Sequence, residues 1–561
     1  MRDIYHDINL YIKKEYNITS NSAIEECRVS EYGDITSNAA MINAKKYKIA
    51  PYILAAEMAP KIQKLEYVKS VRVDKPGFIN ITLDVDCLYD VIHEINNEKS
   101  LCGLQNIGNG EKVNIEFVSA NPTGPLHIGH CRNAILLDAI ASMMEKNGYK
   151  ITREYYINDA GNQINKLIDS VHYQYLNILN IQPDKNLEDI QYSGEYIKDI
   201  AQEIIADYQD KFINLTDNTN EIKNIILDII LKGIKKTLKS INIIHDVFVS
   251  EQNDIHNKGI ITEAIKIIEK KDLLYQGKTE KPLGKDYEEW ESKEITLFKS
   301  TEFGDDVDRP VTKQDGNWTY FAADMGYHHH KIKRNFNQMI IGLGSDHYGY
   351  IKRLKAIVGA LSDNKAEIDI KISNLVNYFD NGQSIKMSKR TGNFLTIDEV
   401  IEKVPADVVR FIMLTRREDS MIDFDMHKVK EASNDNPIFY IQYAYARANS
   451  VISKYTGNFD DVQLKLLQNE NEISIIKKLA KWPYIIKNAV LSRSPTIICS
   501  YLLCLAENYH SLWNAGNQNN EVKFIVEDDE KSKARIYLNI AINNVILSGF
   551  NILNITPIEK M

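Results

Sequence analysis

Residues 113–130 read VNIEFVSANPTGPLHIGH, and the fold turns on how that run is divided. Val113 to Ser119 is a short apolar run with strand character, and ANPTGPL is rich in residues that interrupt regular structure. From about Ile128 to Asn147 apolar residues recur at helical spacing until Gly148 ends the pattern. A buried strand, a loop with glycine and proline, and a helix N-terminus open a βαβ unit, so a parallel Rossmann-like sheet is expected. Within the turn, Pro125-Leu126-His127-Ile128-Gly129-His130 puts two imidazoles three residues apart on one face, with no side chain on Gly129 to obstruct a nucleotide. The helix N-terminus adds unpaired N–H groups and positive potential, which suits phosphates. Two surface histidines beside a helix cap would carry the same letters.

Outward from this run the pattern changes on both sides. Upstream, residues 1–110 suggest a small α+β unit: Thr36, Ser37 and Asn38 offer cap oxygens to a helix from Ala39 to Lys46, Pro51 suits the first turn of another, and β-rich runs cover Val68–Val73 and Phe78–Leu83. The glycine- and asparagine-rich stretch Gly103–Gly110 reads as a linker, so this unit is expected to fold separately. Downstream, Ile222, Ile225, Ile226, Ile229, Ile230, Ile234 and Leu238 share a helical face within a polar insertion at about 164–245. Strand and loop signals return from Ile295 to Leu414, including the apolar run Met339–Leu343. After about Ser433 the chain is helical, over Pro437–Ser450, Glu472–Asn488, Pro495–Trp513 and Ala534–Leu553. The division expected is 1–110, 111–430 with its insertion, and 431–561, a multidomain α/β chain ending in an all-α domain.

Length and composition agree, since 561 residues exceed what one core serves and 44% hydrophobic with 26% charged residues is ordinary for a globular protein. No apolar stretch approaches the roughly 18 residues of a membrane span, and MRDIYHDINLYIKKEYN carries charges where a signal peptide needs an apolar block, so a cytoplasmic protein is expected. A net charge of −9 excludes nucleic-acid binding by bulk electrostatics but not a local basic face. The six cysteines are scattered, without zinc-ligand spacing, and read as reduced thiols. Gly277-Lys278-Thr279 lacks the glycine a P-loop needs five residues earlier, where Asp272 stands, and Gly342-Leu343-Gly344 meets His347 where a dinucleotide fingerprint needs its third glycine. The triplet His328, His329 and His330 points in three directions on a helix, which argues against a metal site.

A second motif gives the first its weight. Ser384-Ile385-Lys386-Met387-Ser388-Lys389-Arg390-Thr391-Gly392-Asn393 sets Lys386 and Lys389 three apart among small polar neighbours, where two ammonium groups can meet a triphosphate and stabilise the charge of departing pyrophosphate. Alone, such a pair fits a solvated turn. In this order, the two resemble the HIGH and KMSKS signatures of class I aminoacyl-tRNA synthetases. The resemblance extends to the arginyl-tRNA synthetase family through the run Glu116–His130, STEFGDDVDRP at 300–310, WTYFAADMGYHHHK at 318–331, GSDHYGY at 344–350 and DNPIFYIQYAYAR at 435–447. GDITSNAAMINAKK and KPGFINITL in the first 110 residues look like that family's additional tRNA-contacting domain, so the similarity covers nearly the whole chain.

The resemblance implies an arginine–tRNA ligase that consumes ATP with Mg²⁺ as the substrate complex, holds no tightly bound metal, and acts as a monomer on tRNA(Arg) and L-arginine. It implies that His127 and His130 hold the α-phosphate region and Lys386 and Lys389 the outer phosphates, with Pro125, Leu126, Ile128, Gly129, Met387 and Ser388 completing the ATP site. By motif position Asp324 is the guanidinium partner with Glu116 as a second acidic ligand, while Asn121 and His347 resemble contacts to the α-amino and carboxyl end, and Ser119 and Tyr320 complete the arginine site. Arginine's planar fork calls for such a bidentate carboxylate. Tyr440, Tyr443, Trp513 and the terminal Met561 match positions near the anticodon, although helical spacing alone fits core packing equally well. Here KMSK is intact, whereas many arginyl enzymes carry a degenerate version. Another class I synthetase and a catalytically silent tRNA-binding derivative are the competing readings; scattered cysteines disfavour a zinc-bearing cysteinyl enzyme, and four intact motif residues disfavour the silent one.

Overall fold

The run 113–130 forms strand β1 (Lys112–Glu116), a loop, and helix α1 (Ile128–Lys146). The strand stops at Glu116, short of Ser119, because Val118 and Ser119 turn to φ of 66° and 38°, where a ladder cannot continue. The structure is a computed structural model and describes all residues except 19–22, 28, 184–189, 216–217, 279–293, 375, 381, 385–394, 432, 434–435 and 561. Two compact units result, one of residues 108–431 and one of residues 1–107 with 432–561.

In the first, the chain continues through β2 (Lys150–Ile157), the insertion helices α2 (Asn162–Ile178), α3 (Glu195–Tyr208) and α4 (Thr219–Ser240), and β3 (Val247–Ser250). A π-helical turn at Glu251–His256 leads to α5 (Ile260–Lys270), α6 (Tyr320–Lys333), β4 (Gln338–Gly344), α7 (Ile351–Ser362) and β5 (Glu367–Ser373). These strands form one parallel sheet in the order β5-β4-β1-β2-β3. The interior strand β4, QMIIGLG, is a near-continuous apolar run of the kind that burial on both faces favours, whereas β2 and the edge strand β5 carry charged residues among their apolar ones. Ile260, Ile261, Met325, Met339, Ile357 and Phe298 join in one core cluster under α5, α6 and α7. On α4, Ile222, Ile226, Ile230, Ile234 and Leu238 are buried, the face that their spacing picks out.

In the second unit, helices Ala39–Tyr47 and Pro51–Ile62 and strands Val68–Asp74 and Phe78–Leu83 stand where capping and β-propensity place them. Ser37, rather than Asn38, supplies the cap oxygen, accepting from the Ala39 N–H at 3.2 Å. The C-terminal helices are α8 (Pro437–Ile452), α9 (Glu470–Ala480), α10 (Trp482–Ser492), α11 (Thr496–Gln518) and α12 (Asp529–Ile552). The single helix expected over Glu472–Asn488 is broken between α9 and α10, since Pro483 lacks an N–H and is tolerated only in a first turn. Residues 1–107 do not stand apart as their linker suggests: they share a core with the C-terminal helices. Trp482, fully buried, donates to the Cys102 carbonyl at 3.1 Å, Asn96 donates to the Tyr537 carbonyl at 2.9 Å, and Lys478 and Lys481 both reach Glu26. Among the described residues no helix is long and apolar enough to cross a membrane.

Candidate active site

The chain leaves β1 toward β2 and β3 on one side and returns with β4 on β1's other flank, so the strand order reverses between β1 and β4. Ligands of open parallel sheets bind at the carboxyl ends beside such a switch point. Glu116 ends β1, and Gly344 ends β4, passing directly into the 3₁₀ turn Ser345–Tyr350 that carries His347.

The loop from β1 delivers His127 to the N-cap of α1. Its ring nitrogen accepts from the Gly129 N–H at 3.1 Å, and His130 Nδ1 accepts from the His127 N–H at 3.2 Å, a reciprocal capping box built from imidazoles. The two rings stack with centroids 3.8 Å apart. Helix capping thus fixes both rings at a helix N-terminus, where backbone N–H groups favour an anion. The Ile128 N–H donates to the Leu395 carbonyl at 3.1 Å, and the Ile397 N–H to the Leu126 carbonyl at 3.0 Å. Segment 395–397, which follows the second motif in sequence, is therefore paired with the first. Lys386, Met387, Ser388 and Lys389 themselves lie outside the described residues.

An acidic floor lies across the end of β1 and the neighbouring residues of β2. Glu116 and Glu154 are register partners on the two strands, and α6 answers them with cations. Lys331 Nζ, with no solvent exposure, sits 2.5 Å from Glu116 Oε2; Arg334 is 2.5 Å from Glu154 Oε2; Tyr327 donates its hydroxyl to Glu154 Oε1 at 2.7 Å. Burial alone would raise the Glu154 carboxyl, but Lys331 and Arg334 outweigh it and hold it below the usual range. Glu116 also accepts from Ser119 at 3.2 Å, and Ser119 accepts from the Tyr156 N–H at 3.1 Å, so Ser119 ties the strained end of β1 to β2. Glu251, in the π-helical turn, is buried and raised by that burial, with His256 3.3 Å away.

Asp324 differs from these acids. No side-chain hydrogen bond or ion pair of its carboxyl is found among the described residues, and it is half-buried on the face of α6 that also carries Tyr327 and Lys331. Burial pushes it up to about 7, and Glu251 and Glu116 add to the rise against a lowering by Arg353. A recessed carboxyl with no ion pair among the described residues, beside other acids, suits a ligand that brings its own positive charge.

Comparison with known proteins agrees along the whole chain. Residues 3–83 match the arginyl tRNA synthetase N terminal domain, 92–455 the class I (R) tRNA synthetase catalytic domain, and 441–561 the DALR anticodon binding domain. The chain belongs to the arginyl-tRNA synthetase family. Arginine–tRNA ligases of Wolbachia pipientis wMel and of the Wolbachia of Brugia malayi are 46% and 44% identical to it, each over 98% of this chain and 97% of the relative. The Thermus thermophilus arginyl-tRNA synthetase structure, 18% identical, superposes with a TM-score of 0.78 over 99% of both chains, a likeness of fold.

Within this synthetase fold the other expected site residues take varied positions. Tyr320 opens α6 and is 72% exposed, with the Lys313 ammonium 5.8 Å from its ring. Asn121 donates to Gln163 at 2.8 Å, and His347 is 3.4 Å from Asp346. The histidine triplet diverges: buried His328, lowered to about 3 by burial and the Lys331 charge, hydrogen-bonds the Asp324 carbonyl, while His329 lies 3.5 Å from Glu263. Among the described residues no group of His, Cys, Asp or Glu side chains is arranged to hold a metal ion.

In the unit of residues 1–107 and 432–561, Tyr440 and Tyr443 on α8 both meet the His510 ring, at 4.4 and 5.6 Å, and Arg447 lies over Tyr443 at 4.1 Å and Trp513 at 4.5 Å. Met561 lies outside the described residues. Sequence reading missed Arg447 and His510 here, and Glu251, Glu154, Lys331 and Arg334 in the catalytic unit. Lys331 was within reach: it stands seven residues after Asp324, two turns along one helix face.

Proposed function

We propose that this arginine–tRNA ligase activates L-arginine with ATP and charges tRNA(Arg) at the switch point of the parallel sheet. The observation that carries the assignment of the amino acid is Asp324, a recessed carboxyl with no ion pair among the described residues, beside an acidic floor whose members are answered by Lys331, Arg334 and His256. An incoming guanidinium supplies the missing charge in bidentate geometry. Because Glu116 already faces Lys331, we assign it to orienting the floor and Asp324 to the principal contact; Ser119, Tyr320, Asn121 and His347 line the rest of the arginine site.

The arginine carboxylate attacks the α-phosphorus in line; a carboxyl–phosphate bond forms, the bond to the β-phosphate oxygen breaks, and pyrophosphate leaves. His127 and His130, at the positive end of α1 in the turn Pro125–His130, hold the α-phosphate through their rings, and Lys386 and Lys389, flanking Met387 and Ser388, neutralise the departing pyrophosphate. Mg²⁺ enters as part of the ATP complex. A ribose hydroxyl of the terminal adenosine then attacks the activated carbonyl and AMP leaves. Tyr440, Tyr443, Trp513 and Met561 we assign to anticodon bases, which stack on aromatic faces. The domains we assign to these tasks are 1–110 and 431–561 for tRNA and 111–430 for chemistry. Reduced cysteines, all six unpaired, suit the cytoplasm, where we place the enzyme as a monomer.

The test is esterification of unfractionated tRNA by the purified protein with ATP, Mg²⁺ and each amino acid in turn, repeated with Asp324→Asn. Arginine alone is expected to be charged, and the variant to lose on the order of 10²-fold or more in kcat/KM for arginine, as loss of a buried charge partner does. Charging of a different amino acid would overturn the pocket assignment.

A further inference from the structure

A parallel pair such as β2 and β3 needs one crossover, yet this chain spends three helices there. Two of them reach the segments around the HxGH turn. From α3, Tyr196 donates its hydroxyl to the Thr123 carbonyl at 2.9 Å, and its ring lies so close to Gly124 that a Cβ on that glycine would sit 3.0 Å from a ring carbon. From the sheet side, Tyr155 donates to the Ala120 carbonyl at 2.8 Å. The loop that ends at His127 is thus gripped between two tyrosines.

From α4, Thr237 donates to Asp398 Oδ2 at 2.6 Å. Asp398 belongs to the short helix Ile397–Ile401, whose N-cap Thr396 pairs with His127 across an isolated β-bridge. The insertion therefore touches both backbone segments that meet at the HxGH turn. Between the two contacts lies a cavity of about 280 Å³, lined by Pro125, Tyr196, Ile200, Ile230, Ile234 and Thr237. Continuous packing does not set the spacing there, so the two hydroxyl hydrogen bonds carry it.

We propose that the helical insertion is a brace for the ATP step, and that Tyr196 and Thr237 are positioning residues which fix the HxGH turn against the α-phosphate. Neither is among the residues assigned to a substrate. Asn121, at the far end of the same loop, is held by Gln163 of the first insertion helix, α2, at 2.8 Å, a contact that changes at Tyr196 on α3 or Thr237 on α4 leave in place. The inference rests on assigning 127–130 to ATP.

Tyr196→Phe and Thr237→Val each remove one hydroxyl and keep the shape of the side chain. In steady-state charging assays each is expected to raise the KM for ATP about three- to tenfold, the worth of one net hydrogen bond, with the KM values for arginine and tRNA and the melting temperature unchanged. Thr237→Ser, which keeps the hydroxyl, is expected to restore the wild-type KM. Loss of folded enzyme lowers kcat but cannot shift one KM alone, so a merely structural role is distinguishable. An unchanged KM for ATP in both variants, or a parallel shift in all three KM values, would overturn the brace. Failure of the wild-type protein to charge arginine would instead overturn the functional reading on which it stands.

Discussion

At Asp324 the same carboxyl is a proton site and the guanidinium partner of the proposed arginine site. Burial, with Glu251 and Glu116 nearby, pushes it up to about 7 from an ordinary 3.8, so below that pH it is neutral and cannot pair with a guanidinium. The sign follows: kcat/KM for arginine is expected to fall about tenfold per pH unit below roughly 7 and to level off above it, since this ratio reports the free enzyme's ionisations. Charging assays at subsaturating arginine across the pH range check this, and a profile flat through neutrality would refute it. Asp324→Asn is expected to abolish the step as well as the affinity. His127 carries a different double duty, since its ring caps α1 as well as facing the proposed phosphate site. His127→Asn keeps a good N-cap, so the melting temperature is expected to hold while kcat falls on the order of 10²-fold or more, as loss of a transition-state donor does. Equal loss of stability and activity would mean that the histidine serves the helix alone.

Helix α6 shows what one element contributes. Its face carries Asp324, Tyr327 and Lys331 in sequence, and Arg334 follows at its end, so one helix both carries the carboxyl proposed for the guanidinium and neutralises the paired glutamates of β1 and β2. Removing one partner of a buried pair costs about 3–5 kcal/mol, far more than removing both. Lys331→Met is accordingly expected to lower the thermal transition of this unit strongly, and the double variant with Glu116→Gln to recover most of the loss; calorimetry of the three proteins distinguishes this from a pair that contributes nothing. How much was legible divides along the same line. The strand, the HxGH turn and α1 were readable because propensity, punctuation and periodicity agree over 113–147. Asp324 was singled out through its motif, and its role stays a proposal. Glu154, Lys331 and Arg334 were not, because their role exists only once α6 lies over β1 and β2, a pairing between residues some 180 apart that no local pattern records. The broken helix at Pro483 was a local signal overlooked beneath a continuous apolar period.

At the scale of the molecule, the distribution of cores constrains what can be cut apart. A linker-like composition at Gly103–Gly110 suggests an independent N-terminal module, yet the core of residues 1–107 is closed by the last helices of the chain. Tyr89 donates to the Leu467 carbonyl at 3.2 Å, Asn96 bonds to both Tyr537 and Asn544, and Lys477 pairs with Asp34 at 2.7 Å. Trp482 alone buries its whole indole there and directs its N–H to Cys102 and Ser548. A chain truncated after residue 431 would therefore leave residues 1–107 with exposed apolar surface and unpaired polar groups, while residues 108–431 keep their own sheet and core intact. Limited proteolysis of that truncated chain is expected to digest residues 1–107 rapidly and to spare 108–431, whereas in the full-length protein both resist. Equal resistance of the two parts would show that the N-terminal residues fold on their own core, and that the C-terminal helices merely cover a surface already formed.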